Sequence, residues 1–178
     1  NSGKSYRKGI ELESMYKATN SLDISTNISY SQNKNIDYKT NFDGQVLNWG
    51  DTDISFSPNI VSSIGIIFSP TQDLNFSLLN KFVGDQFMSN TESIVSKLDS
   101  YSTTDLNFVY NFKKSKYFKE VIFTVMINNI LNKEYVSNGY YYTYDDTWSN
   151  PNVVSTIEGT GYYPQAKRNF LIGFTFKL

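Results

Sequence analysis

Apolar and polar residues alternate with a period of two along most of this chain, as in strands that are dry on one face and wet on the other. In "LDISTNISYSQ", Leu22, Ile24, Thr26, Ile28 and Tyr30 share one face, and Asp23, Ser25, Asn27, Ser29 and Ser31 share the other. Upstream, "YRKGIELESMYKA" sets Ile10, Leu12, Tyr16 and Ala18 against Arg7, Gly9, Glu11, Glu13 and Lys17, with "TNS" as the tight turn between the two strands. The same pattern continues through "IVSSIGIIF", "LNFSLLNKFVG", "YSTTDLNFVYNF", "VIFTVMINN" and the terminal "RNFLIGFTFKL". It predicts about seven strands of roughly nine to thirteen residues, longer than the ~5–6 usual in globular sheets.

The connections alternate too. "TNS", "SPTQD" and "KKSKYFKE" are short links, whereas residues 33–59, 85–98 and 133–164 form long ones. A soluble sandwich has no reason to gather its long loops at one end. An outer-membrane barrel does, with short periplasmic turns and long extracellular loops. The tracing makes the first and last strands both descend, which puts the C-terminus in the periplasm. Tyr6, Tyr16, Tyr30, Phe68, Phe82, Tyr101, Phe112 and Tyr135 fall near strand ends, where rings meet lipid and hydroxyls meet head groups. Seven strands cannot close a bacterial barrel, which needs an even number of at least eight. The expectation is an all-β, antiparallel transmembrane β-barrel of which residues 1–178 form a C-terminal portion.

Composition narrows the chemistry. The chain has 178 residues, no cysteine and no histidine, which removes thiolate metal sites, Ser-His-Asp and Cys-His catalysis and the commonest metal ligand. Charged residues make up 19%, below the ~25% norm, and aromatics 16%, with 14 tyrosines and 13 phenylalanines. A net charge of −1 and the lack of a basic run provide no field for nucleic acid. No basic-apolar-small leader is visible, and the longest apolar run, "VIFTVMI", is far short of the ~20 residues of a spanning helix.

Four blocks, in order, carry a family resemblance: "KFVGDQFMSNTES", "KLDSYSTTDLNFVYNF", "VMINNILNKEYVSNGYYYTY" and "GTGYYPQAKRNFLIGFTFKL". From about Pro58 to Leu178 the chain resembles the end of TonB-dependent outer-membrane receptors of the Bacteroidetes-like form. The resemblance implies a 22-stranded barrel, a plug domain filling the lumen, and import of a scarce nutrient driven through TonB by the inner-membrane proton gradient. The nutrient would be a ferric siderophore, haem, a corrinoid or a glycan. It implies no covalent chemistry and no resident cofactor or metal, and as partners TonB, outer-membrane lipid, the barrel-assembly machinery and, in some members, a surface lipoprotein. Family members usually end in an aromatic residue and often carry a polar residue two before the glycine of the assembly signal. Here the terminus is Leu178 and position 171 is Leu, while Phe170, Ile172, Gly173, Phe174, Phe176 and Leu178 keep the alternation of that signal.

Candidate ligand contacts lie in two long connections. The first carries Asp43-Gly44, a hairpin signal, followed by Trp49, Asp51 and Asp53. The third packs Tyr135, Tyr140, Tyr141, Tyr142, Tyr144 and Trp148 around Asp145 and Asp146, large rigid rings suited to gripping a ligand. If "YYYTY" is strand, Tyr141 faces away from Tyr140 and Tyr142. Two aspartate pairs, Asp145-Asp146 and Asp51-Thr-Asp53, also offer carboxylates of the kind calcium takes, although neither has the spacing of a known calcium loop. Glu11 and Glu13 share a face, which invites an acid-base reading, but on a lumen wall pairing with Arg7 or Lys17, or contact with a plug, suits them better. Lys113, Lys114, Lys116 and Lys119 suit a solvated turn. Two other classes stay open: a barrel enzyme whose base lies elsewhere, and a soluble all-β carbohydrate-binding sandwich that would bury the same apolar face.

Overall fold

The computed structural model describes residues 3–42, 45–113, 117–150 and 153–178. Twelve strands run in chain order: β1 (Lys4–Lys17), β2 (Leu22–Phe42), β3 (Gln45–Asp53), β4 (Ile60–Thr71), β5 (Leu74–Val83), β6 (Gln86–Phe87), β7 (Lys97–Leu98), β8 (Tyr101–Lys113), β9 (Glu120–Asn128), β10 (Val136–Asp146), β11 (Ser155–Pro164) and β12 (Asn169–Lys177). The main sheet is an antiparallel meander in the order β1-β2-β4-β5-β8-β9-β12. These seven wall strands are the seven that the alternation predicts. The sheet is open, with β1 and β12 at its edges.

The register explains why this arrangement is specified. The pairs Leu12↔Ile28, Ile24↔Ile66, Phe68↔Phe76, Phe76↔Phe108, Tyr110↔Phe123 and Phe123↔Phe174 set apolar residues opposite one another across all seven strands. The alternate rungs pair polar residues: Glu13↔Asn27, Ser29↔Glu11, Lys81↔Thr103, Lys177↔Glu120. A one-residue slip anywhere would exchange the two faces, so the pattern fixes the register. Rings tie the apolar face together, with centroids 6.4 Å apart for Phe68–Phe76, 5.1 Å for Phe76–Phe108, 6.0 Å for Phe108–Phe123 and 4.9 Å for Phe123–Phe174. Such cross-strand pairs contribute about 0.2–1 kcal/mol each.

Among the described residues, no second layer covers this face. Ile28 is 45% exposed and Phe174 58%, and the buried apolar residues among those described are Val83, Met88 and Leu98, none of them on it. The accessible surface is 12265 Å², against about 8,800 Å² expected for a folded chain of this mass. The structure is therefore not a sandwich. On β4 the apolar stripe runs from Ile60 to Phe68, roughly 26 Å along the strand at ~3.3 Å per residue, comparable to the ~25 Å outward band of membrane barrels. No helix among the described residues is long and apolar enough to cross a membrane, which says nothing about strands.

All three short turns lie at one end of the sheet and all three long connections at the other. The long connections are more structured than loops: β3 pairs with β2, β6 with β7, and β10 with β11. Beyond Tyr30↔Ile60, its last pair with β4, β2 continues to Phe42, roughly 40 Å at ~3.3 Å per residue, and stays paired with β1 as far as Lys4↔Ile36. There it pairs with β3 down to Phe42↔Gln45. Asp43-Gly44 itself lies outside the described residues, as do Lys114 and Lys116.

Three expectations need correction. Tyr101 does not face outward with the lipid-side aromatics: it pairs with Val83 on the polar face and stacks on Tyr135 at 4.4 Å. Neither Glu11 nor Glu13 forms an ion pair among the described residues, because on an extended strand their opposite neighbours are Ser29 and Asn27. The 133–164 connection is not a loop but a ten-rung hairpin.

In the whole protein reconstituted in lipid vesicles, Phe108→Arg is expected to cost about 2–4 kcal/mol in reversible denaturant unfolding, and Asn107→Arg on the opposite face far less. Equal costs would mean that the apolar face does not meet hydrocarbon.

Candidate functional site

The long-connection end holds most of what is buried in this chain, and much of it is polar. Asn33, Asn35, Thr52, Ser57, Ser96 and Asn129 are buried there, beside Met88 and Leu98. On the β2–β3 projection, Asp37 takes a left-handed conformation (φ +50°) at a bulge in the pairing. Its amide donates to Asp51 Oδ1 (3.0 Å), and its own Oδ1 accepts from Asn48 Nδ2 (2.7 Å). Asp51 is thus a structural acceptor. Trp49, half exposed, donates from its indole to Thr40 Oγ1 (3.0 Å).

The second connection ties to the first through Glu92. Lys34 Nζ lies 2.8 Å from Asp53 Oδ1 and 3.1 Å from Glu92 Oε1, and the Asp53 amide also donates to Glu92 Oε1. Glu92 has φ +53°, a conformation costing a non-glycine residue about 1–2 kcal/mol, which its three-way contact offsets. Ser55 N donates to Asn90 Oδ1 (2.7 Å) and Phe56 N to the Phe87 carbonyl (2.8 Å). Burial pulls the Lys34 ammonium down, but the hydrogen bonds and charges of Asp53 and Glu92 together outweigh it and raise it. Lys97 and Asp85 pair at 2.7 Å; the hydrogen bond from Lys97 holds the Asp85 carboxyl below its ordinary range.

The third connection, the β10–β11 hairpin, has two different faces. On one, Gly139 leaves room for Met88, whose sulfur would sit 2.7 Å from an added Cβ. Tyr141 on this face donates to Glu158 Oε1 (2.5 Å) and reaches Ser93 and Thr91 of the second connection; burial first, then Glu158, raises its phenol. Asp145 accepts from Thr156 Oγ1 (2.9 Å). At the hairpin's foot, Tyr101, Tyr135, Lys97, Lys133 and Tyr162 line a cleft of about 500 Å³.

The other face is a row of rings. Tyr140, Tyr142, Tyr144 and Trp148 follow one another with centroids 6.2, 6.4 and 6.1 Å apart and planes inclined by 25°, 19° and 6°. Tyr163 joins at the foot, 6.1 Å from Tyr140. Glycines lay the rings flat: Tyr140 pairs with Gly161 and Tyr142 with Gly159. An added Cβ would meet Tyr140 Cζ at 2.3 Å and Tyr142 Cζ at 2.4 Å respectively. The rings remain open to solvent, Tyr142 at 48% and Trp148 at 70%.

Of the residues singled out from sequence, the structure therefore brings Tyr142, Tyr144 and Trp148 together in one row. It places Tyr141 and Asp145 on the opposite face, and Trp49 and Asp51 on a separate hairpin. The alternation had predicted the reversal at Tyr141. Gly159 and Gly161 were missed, although a glycine at every second residue beside a tyrosine run is a readable sign. The paired aspartates are each engaged by protein: Asp146 Oδ1 accepts from the amides of Trp148 (3.1 Å) and Ser149 (2.9 Å), and Asp53 holds Lys34. No group of three or more acidic residues that could hold a metal occurs among the described residues.

No family model matches the sequence, and no curated protein matches it either. Solved structures do match it, in fold. The siderophore receptor PiuA from Acinetobacter baumannii superposes with a TM-score of 0.73 at 15% identity, over 97% of this chain and 22% of that one. The ferric-catecholate import receptor Fiu from E. coli K12 gives 0.63 at 13%, over 97% and 21%. The ferric yersiniabactin uptake receptor FyuA from Yersinia pestis gives 0.62 at 15%, over 98% and 23%. The chain thus has the fold of a barrel-wall portion of outer-membrane receptors, the class its sequence blocks resemble, and spans about a fifth of their length.

Two outcomes follow for the packed connections. Lys34→Gln leaves Asp53 and Glu92 without their shared cation, and amide exchange at Asp53, Ser55 and Phe56 is expected to rise about two- to fivefold, the size of a partly exposed ion pair. Unchanged exchange would show that the backbone bonds alone hold the contact. Because the Asp85 carboxyl is depressed and Lys97 is raised by the same pair, that tie is complete above the unfolded carboxylate value and fails as pH falls through the lower folded one. Protection of residues 85–98 is expected to be flat from about pH 5 to 9 and to drop below about pH 4.

Proposed function

We propose that this chain is a C-terminal portion of the wall of a 22-stranded outer-membrane receptor that binds a scarce nutrient at its extracellular end and imports it with energy delivered through TonB. The observation that carries this reading is the one-layered sheet, apolar on one face and polar on the other, whose long connections all gather and pack at one end. Hydrocarbon would cover the apolar face, because an aqueous surface with this much exposed apolar area would associate. The polar face, with Glu11, Glu13, Lys81 and Asp105, would look into a lumen holding a plug. Glu11 and Glu13, without an ion pair among the described residues, are suited to a partner on that plug.

The likeness to siderophore and ferric-iron receptors supports the transport reading over catalysis, as does the lack of any histidine or cysteine. The last strand, which carries Phe170, Ile172, Gly173, Phe174 and Phe176 and runs out to Leu178, has an unpaired edge, with Phe170, Ile172, Phe174 and Phe176 on the outer face and Leu171 opposite Met126 on the other. That is the form an assembly machinery would engage before closure. Gly173 opens onto empty space on the polar face. A surface lipoprotein would have the packed connections as its landing surface.

The test is cellular. With the whole protein in its host, nutrient uptake is expected to stop on dissipation of the proton gradient or loss of TonB, while surface binding persists. Uptake indifferent to both would overturn the reading in favour of a passive pore, and release of the protein with the soluble fraction would overturn the membrane placement.

A further inference from the structure

We infer that the ring row on β10–β11 is a binding strip for a neutral, linear oligosaccharide, one sugar face per ring. The inference rests on the receptor reading above and names the ligand class of its extracellular end.

Three features of the strip choose the class. First, it carries no positive charge. Neither β10 nor β11 contains a lysine or arginine, Glu158 and Asp145 belong to the opposite face, and Asp146 at the tip is occupied by the Trp148 and Ser149 amides. An anionic metal chelate would find no cation to offset its desolvation. Second, the strip is narrow. Tyr140 and Tyr142 lie over Gly161 and Gly159. Single rings therefore run in file, and a broad macrocycle would overhang on both sides. Third, it repeats. Four rings stand at intervals of 6.1–6.4 Å with neighbouring planes inclined by 25° or less, so the ligand that uses all of them is itself a repeating chain of flat, weakly polar units. Pyranose rings joined in a line have this form: axial C–H groups lie on the π-faces, and ring-edge hydroxyls meet those of Tyr140, Tyr142 and Tyr144. The cost of ordering the strip is small, since the glycines and the stacking already hold the rings in place.

The experiment uses the whole receptor in detergent micelles, titrated calorimetrically with hexaoses of β-1,4-glucose, β-1,4-xylose, β-1,3-glucose and α-1,4-glucose, and with the shorter members of any series that binds. At least one hexaose is expected to bind, with affinity rising with chain length and levelling at about four units, one per ring. Tyr142→Ala and Trp148→Ala are each expected to weaken it at least about tenfold, and Tyr142→Phe by no more than about threefold. Gly161→Val removes no ring but lifts Tyr140, and is expected to weaken binding as an alanine at a ring position does. Failure of all four hexaoses to bind, binding independent of length, or affinity unchanged in Tyr142→Ala and Trp148→Ala would each overturn the assignment. Gradient-dependent uptake scored in parallel separates the two readings. Uptake without saccharide binding removes the saccharide alone; saccharide binding without gradient-dependent uptake removes the importer alone.

Discussion

One constraint organises this chain: with no second layer among the described residues, the backbone polar groups of the sheet are satisfied within the sheet, rung against rung. Seven strands in sequence order do this with local connections, each strand pairing with the next. The ladder fixed at every rung then assigns each side chain its face, most of the rings and large aliphatic residues to one and most of the charges to the other. Phe76, Phe108, Phe123 and Phe174 are apolar neighbours because the backbone makes them so.

The result inverts the usual soluble arrangement. Large aliphatic and aromatic residues are exposed along the wall, while asparagine, serine and threonine are buried at the end where the long connections meet. Each of those connections alone is a strand pair too small to stand in water. Together they are held by specific polar contacts: Glu92 on Lys34 and the Asp53 amide, Asn90 on Ser55, Tyr141 on Glu158 and the second connection. The long-connection end is thus tied together where its pieces join and open on the row of rings that faces away from the join.

The wall was legible in the sequence because period-two alternation and register carry the same information: once Ile24, Phe76 or Phe174 is assigned a face, its partners follow. The alternation of short and long connections was legible for the same reason. The long connections were not, because their strands lack an apolar side. "YYYTYDD" reads equally as loop or strand until Gly159 and Gly161 are set opposite it. Tyr101 misled because a strand-end aromatic carries no mark of which side it faces; parity with Val83 decides that. Glu92 could not be found at all. It acts on Lys34, 58 residues away in the chain, and nothing local announces a left-handed glutamate.

Asn129 deserves a last consideration, since both legs of the β10–β11 hairpin stand on it. Its amide donates to Asp105 Oδ1 of β8 (2.7 Å), and its side chain bonds the Lys133 amide and carbonyl on the incoming leg and the Ala166 carbonyl on the outgoing one. Ile130 adds a bond to the Thr104 carbonyl (2.8 Å). The foot of the projecting arm is therefore braced to β8 on both legs by four hydrogen bonds of one asparagine, and a load on the tip meets that brace before it meets any free length of backbone.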